Sequence, residues 1–228
     1  SIDIAIEGSH LGNSYFAAKR GVRLKELLDY VAIAPDEADI ENIYVKRKSV
    51  AATQRRNLLE SIDRLERSIL TAPARSDAEA SIRQQESTLI SQFITNARKA
   101  VPDGRVVVSE NTQVANIRLE DGDIIVIPYK SDVITVSGEV KIPQSIVFSS
   151  GASINDYIVR AGGYTERADT RSIIIRKPNG QIVTTGEIRP GDELLVFPKI
   201  ATKNFQFAKD ILSIVFQIAA TSKAVGII

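Results

Sequence analysis

Apolar and polar residues alternate through the opening stretch Ile2-Asp3-Ile4-Ala5-Ile6-Glu7-Gly8, which predicts a strand with one face turned inward. The same alternation returns at Val133-Ile134-Thr135-Val136-Ser137-Gly138. Sliding the chain by that spacing puts Gly8 on Gly138, Gly21 on Gly151, Leu24 on Ile154 and Leu28 on Ile158. The register then carries Ala38-Asp39 onto Ala168-Asp169 and Ile43–Arg47 onto Ile173–Lys177 without a gap. One folding unit is therefore present twice.

The second copy is the easier one to follow. After its opening strand, Ser145-Ile146-Val147-Phe148 is a second strand, and residues 153–161 form a short helix with Ser153 and Asp156 spaced as a capping box. Gly162-Gly163 follow as the expected left-handed cap of that helix. Two more strands, 171–177 and 181–185, meet at Pro178-Asn179-Gly180, where proline presets φ and glycine supplies a positive φ. A turn at Arg189-Pro190-Gly191-Asp192 and the strand after it close the unit. This order predicts an α+β unit, a small sheet curled around one helix in the β-grasp manner.

In the first copy the equivalent turn is Pro102-Asp103-Gly104, and residues 48–101 stand as an insertion at a hairpin tip, where extra chain disturbs a core least. The insertion has helical periodicity. Leu58, Ile62, Leu65 and Ile69 fall on one stripe, and Ile82, Leu89, Phe93 and Ala97 on another, with Pro73 between the helices and Ser76 and Glu79 as a second capping box. Two helices of about 24 residues would extend about 36 Å. Such a hairpin could fold back over its own domain; its narrow stripe, wide enough for one seam, favours a projecting arm that meets a partner or neighbouring subunit. The expected organisation is a first domain over 1–130, a second over 131–200 and a helix within 201–228.

Residues 204–223 lack strand alternation. At 100° per residue, Gln206, Asp210, Ser213 and Gln217 lie with Lys209 and Thr221 in one arc, while Phe205, Phe207, Ile211, Leu212, Ile214, Val215, Phe216 and Ile218 fill most of the remainder. The helix is about 27 Å long, close to a hydrocarbon core of roughly 30 Å, with Lys203 and Lys223 placed to snorkel. A lone span would bury Asp210 at about 3 kcal/mol. Several copies standing as staves would solve this: Gln206, Asp210, Ser213 and Gln217 would face a watery lumen, and Phe205, Phe207, Ile211, Leu212, Ile214, Val215 and Ile218 would face lipid. The alternative docks the apolar face on the protein's own domains.

Composition narrows the chemistry. Of 228 residues, 29 are basic and 28 acidic, so no global charge draws nucleic acid or an anionic membrane. Cysteine is absent, which removes disulfides, thiolate metal sites and cysteine nucleophiles and fits cytoplasm or periplasm equally. Methionine is also absent and the chain opens directly on a strand, as expected of a processed or excised fragment. The single histidine, His10, sits in a loop without a paired carboxylate. No nucleophile elbow, phosphate-cradling loop or zinc motif occurs, so neither an enzyme nor a cofactor is expected. Glu120-Asp121-Gly122-Asp123 is formally a calcium-like cluster, but its counterpart Arg189–Asp192 keeps only the turn, which makes it a turn rather than a metal site. For saccharide contact, Tyr157 and Tyr164 are the nearest aromatic candidates; Tyr157 aligns with Leu27 and is expected in the core.

The second copy, VSGEVKIPQSIVFSSGASINDYIVRAGGYTERAD closed by RPGDELLVFP, together with EDGDIIVIP in the first and the amphipathic terminal helix, resembles the bacterial outer-membrane polysaccharide export family with tandem SLBB (soluble-ligand-binding β-grasp) domains. The resemblance covers all but the helical insertion. It implies a non-catalytic, homo-oligomeric ring in the periplasm and outer membrane that conducts capsular polysaccharide or exopolysaccharide. An inner-membrane polysaccharide co-polymerase or export partner, and a pore made by the terminal helices, follow from the same resemblance. Two rivals stand beside it: a soluble periplasmic saccharide-binding or assembly adaptor whose terminal helix docks on its own domains, and a ubiquitin-like cytoplasmic module.

Overall fold

The computed structural model describes residues 1–71, 76–110, 113–200, 202 and 204–222. Pro73, Lys203 and Lys223, singled out above, lie outside these. The architecture is mixed α+β, with two five-stranded mixed sheets, as the sequence pattern predicts.

The first sheet contains β1 (Ile2–Gly8), β2 (Tyr15–Ala18), β3 (Tyr44–Lys46), β4 (Arg105–Val107) and β7 (Ile124–Ile127) in the order β2-β1-β7-β3-β4. The second contains β8 (Val133–Gly138), β9 (Gln144–Val147), β10 (Ala168–Arg176), β11 (Ile182–Val183) and β12 (Glu193–Pro198) in the order β9-β8-β12-β10-β11. Strand for strand these orders are the same. In each, a parallel pair lies at the centre: β1 beside β7, with Gly8 opposite Ile127, and β8 beside β12, with Gly138 opposite Val196. Both glycines need their lack of a side chain. At φ 90° and 81°, a Cβ would sit 2.0 Å from the Ile127 carbonyl oxygen and 2.1 Å from that of Val196.

Gly104 corresponds to Gly180, 76 residues on, whereas Ile127 corresponds to Val196, 69 residues on. The first unit thus carries a further seven residues between β4 and β7, and there the chain forms the small hairpin β5 (Ser109–Glu110) and β6 (Gln113–Val114).

Each unit has one short helix over its core. In the second, α4 (Ile154–Arg160) opens on Ser153, whose hydroxyl accepts from the Asp156 amide while Asp156 accepts from the Ser153 amide at 2.7 Å. It ends on Gly162 and Gly163, both at positive φ, with the Gly163 amide bonded to the Ile158 carbonyl, as expected of a glycine cap. In the first, α1 (Leu24–Leu28) opens on Arg23, which has no side-chain oxygen to offer. The acceptor comes from elsewhere: the Asn116 side chain takes the Lys25 amide at 3.0 Å, and the Asn116 carbonyl takes the Arg23 guanidinium at 2.8 Å.

Between β3 and β4 run α2 (Lys48–Thr71) and α3 (Asp77–Ala97), and after β12 comes α5 (Phe205–Thr221). On α2 the expected stripe is the buried one: Leu58, Ile62 and Leu65 are fully covered and Ile69 is half-covered. On α3 the buried line is Ile90, Ile94 and Ala97 with Phe93 at its margin, while Ile82 and Leu89 are half-exposed, so the expected stripe is turned by about one residue. Two apolar lines run side by side on α3, and the one that meets α2 and α5 is buried. The hairpin does not stand clear of the molecule. Its core is shared with α5 and with Ile174 and Phe197 of the second sheet.

That sharing explains the unbroken apolar run Ile173-Ile174-Ile175. Ile175 faces the core under α4, Ile174 faces the helices, and a strand covered on both faces has no polar side.

Candidate functional site

The terminal helix is built from its cap upward. The Asn204 side chain accepts from the Gln206 amide at 3.0 Å and the Phe207 amide at 3.3 Å, starting α5 one turn before its buried face. Phe207, Ile211, Ile214, Val215 and Ile218 are buried against α2, α3 and the second sheet, with Ile214 fully covered. Leu212 is half-buried; Phe205 is 74% exposed, with the Lys209 ammonium 4.9 Å from its ring centre. In this arrangement, therefore, five of the seven residues expected to face lipid face protein. Among the polar four, Gln206 and Ser213 are exposed and Asp210 and Gln217 half-buried. Gln206 donates to Asp210 at 2.9 Å, and Gln217 donates to the buried Ser61 hydroxyl of α2 at 3.0 Å. Gln217 thus makes a contact with α2 as well as one along the arc to the Ser213 hydroxyl at 3.4 Å.

The C-terminal carbonyls of α5 are held from both units. The Asp103 amide donates to the Thr221 carbonyl at 2.9 Å, and the Arg176 guanidinium donates to the Ala219 carbonyl at 3.3 Å. Phe216 packs edge-on to Phe197 with centroids 5.5 Å apart. Among the described residues, no helix is long and apolar enough to cross a membrane.

The calcium-like turn resolves into a structural staple. Asp123 is buried; its two oxygens accept from Arg47 at 2.9 and 2.7 Å, and one also accepts from the Glu120 amide at 2.8 Å. Asp192 repeats this in the second unit, taking Lys177 at 2.6 Å and the Arg189 amide at 2.8 Å. Bonding to Asp123 raises the proton affinity of Arg47 above that of a free guanidinium, against the opposing effect of burial. Each staple ties the turn before the closing strand to the end of the third strand. Among the described residues, no group of carboxylates or histidines is arranged to hold a metal.

His10 bonds to the Ser14 hydroxyl at 2.8 Å in its loop and has no carboxylate partner in any ion pair of the described residues. Tyr157 is wholly buried, its hydroxyl accepting from the Ser149 amide at 2.9 Å, so it is the core residue its alignment with Leu27 implies. Tyr164 is half-buried against the same core and bridges to Val140.

A polar cleft of about 510 Å³ lies where the two units meet. Asp39, Glu41, Asn42 and Lys130 line it from one side and Lys177, Asn179 and Arg189 from the other. Burial raises the pKa of Asp39, partly countered by the Asn42 amide at 2.7 Å. Arg189 faces Glu41 across the cleft at 3.8 Å. Sequence reasoning did not single out these residues, because segments around 39, 130 and 189 are each an ordinary loop and only the packing of the units brings them together.

Residues 133–186 match the SLBB domain. The chain carries an SLBB domain. That domain spans β8 to β11 with α4 between, which is most of the second unit. Two curated sequences, both polysialic acid transport proteins KpsD of Escherichia coli, are each 34% identical to the chain. The alignments cover 99% of this chain and 40% of theirs, so the chain spans about two fifths of the length of these relatives. Both findings uphold the resemblance to SLBB-containing polysaccharide export proteins drawn from the sequence.

Proposed function

We propose that this chain is a non-catalytic portion of a component that exports capsular or extracellular polysaccharide across the Gram-negative envelope, acting in the periplasm and at the outer membrane. One observation carries the reading: 34% identity to a polysialic acid transport protein across 99% of the chain, through both units, the hairpin and the terminal helix. Both units are read as β-grasp domains, the first with the helical hairpin inserted at a strand connection. Assembly into a homo-oligomeric conduit and engagement of an inner-membrane export partner belong to the same proposal.

Within it, the docked terminal helix favours a strut over a membrane stave. The support is the full burial of Ile214 between hairpin and second sheet and the Gln217–Ser61 hydrogen bond. An apolar arc of this width suits a helix packed on two partners at once. In this reading α5 fixes the angle between the two units, and the conduit is lined by other surfaces.

The experiment places this chain in the polysialic acid transport protein in exchange for its matching segment and measures capsule on the cell surface. Restored capsule is expected; a stable, correctly located chimera that exports none would refute the export role. For the helix, the chain is purified with and without residues 204–228. Detergent-free solubility of both forms, with lower stability of the shortened one, is the strut result. A ring that needs detergent and disappears on shortening would establish the stave instead.

A further inference from the structure

Five exposed cations gather around the start of α1 in the first unit. Lys19, Arg20, Arg23 and Lys25 lie on the turn from β2 into α1, and Arg118 lies beside them through its backbone bridge to Arg23. The turn is firmly placed. Val22 donates to the Lys19 carbonyl, Leu24 to the Ile117 carbonyl and Leu119 to the Val22 carbonyl, while the Lys25 amide donates to the Asn116 side chain at 3.0 Å. All five side chains are exposed, and none takes part in an ion pair among the described residues. Of the neighbouring carboxylates, Glu120 pairs with Arg47 at 3.1 Å, Asp121 accepts the Asp3 amide at 2.8 Å and Glu26 turns to the Arg23 amide, while Asp29, at the far end of α1, makes no ion pair with any of the five.

The second unit supplies an internal control. It builds the same turn and the same helix start, yet the five equivalent positions hold Ser149, Ser150, Ser153, Asn155 and Glu187. The fold therefore does not need the cations. Arg23 stands at the N-cap that Ser153 fills with a bonding hydroxyl; its guanidinium donates to the Asn116 carbonyl at 2.8 Å and so has a backbone partner but no counter-charge. Unpaired like charges held together on a fixed turn repel one another and are relieved by an anionic ligand.

We propose that Lys19, Arg20, Arg23, Lys25 and Arg118 form a binding surface for a carboxylate-bearing polysaccharide; this rests on the export reading. A sugar acid polymer presents carboxylates at regular intervals, and a spread of flexible cations on one face engages several of them weakly, as a polymer in transit requires. A lipid surface fits less well. From Lys19 to Lys25 no large apolar side chain is exposed, whereas helices that lie on bilayers add apolar anchors to their basic residues.

The test gives the five positions the second unit's residues, K19S, R20S, R23S, K25N and R118E, in the complete chain. Binding of polysialic acid, of neutral dextran and of phosphatidylglycerol vesicles is measured at low and moderate salt. The intact chain is expected to bind polysialic acid in preference to dextran, with affinity falling as salt rises, and the variant to bind about tenfold more weakly. A second variant, R20S with K25N, changes only two exposed side chains and is expected to lose about threefold, which guards against a folding artefact. Equal affinity of the five-site variant, equal binding of dextran, preference for the vesicles, or no binding of polysialic acid by the intact chain would each overturn the proposal. Capsule export by the chimera reads the export role independently of all four.

Discussion

Single residues in this chain can be judged against their duplicates. Asp123 and Asp192 occupy one structural position, each buried and each holding a turn against a basic side chain. Replacing Asp123 by Ala would strand the Glu120 amide and leave Arg47 only the exposed Glu120 carboxylate and the Arg118 carbonyl, and an unfolding titration is expected to show a loss of about 3 kcal/mol. Arg23→Ser exchanges the guanidinium bond to the Asn116 carbonyl for a cap hydroxyl where the Asn116 side chain already accepts the Lys25 amide, and the same titration is expected to show a change within about 0.5 kcal/mol. The acid side of the other cap can be read by titration. The Ser153 amide, and then its hydroxyl, hold the Asp156 carboxyl below the usual aspartate range. Because the folded pKa is depressed, this contribution is complete above the unfolded pKa and is lost as pH falls through the lower folded value. NMR titration should find the Asp156 pKa low, and in Ser153→Ala part of the way back to normal. The paired glycines, Gly8 with Gly138, were legible in the sequence because strand ends that approach a carbonyl so closely accept nothing larger.

Among elements, the helices taught most. The α2 stripe was legible because it is the only apolar line on that helix. On α3 two lines compete, and sequence periodicity alone does not say which one a neighbour will cover. Ile90→Ala is therefore expected to cost about 3 kcal/mol by thermal or denaturant unfolding, while Leu89→Gln on the half-exposed line should change stability by less than about 0.5 kcal/mol. For α5 the width of the apolar face was legible, while the choice between lipid and protein as its cover was not. A helix against one layer needs a narrow stripe, and one wedged between a hairpin and a sheet needs a broad arc, which on sequence grounds resembles a lipid-facing one. Ile214→Asp should unfold the helical layer, with a loss above about 4 kcal/mol, and Ser213→Asp next to it should be tolerated; circular dichroism during denaturation distinguishes the two.

On the scale of the whole molecule, duplication was the strongest signal in the sequence and the two sheets follow it strand by strand. Less visible was the seven-residue excess after β4, since a short hairpin of polar residues has no pattern strong enough to separate it from a loop. The cleft and the cationic turn were also hidden, the first because it is made by the meeting of units and the second because a basic turn read alone is an ordinary solvated surface. The layer of α2, α3 and α5 has a kinetic consequence. The hairpin precedes α5 by roughly a hundred residues, so during synthesis its apolar side must wait, uncovered, while the whole second unit is made. Such long-range closure slows folding and exposes the waiting surface to aggregation or to a chaperone. The first half of this protein becomes a finished object only when the second half reaches back to it.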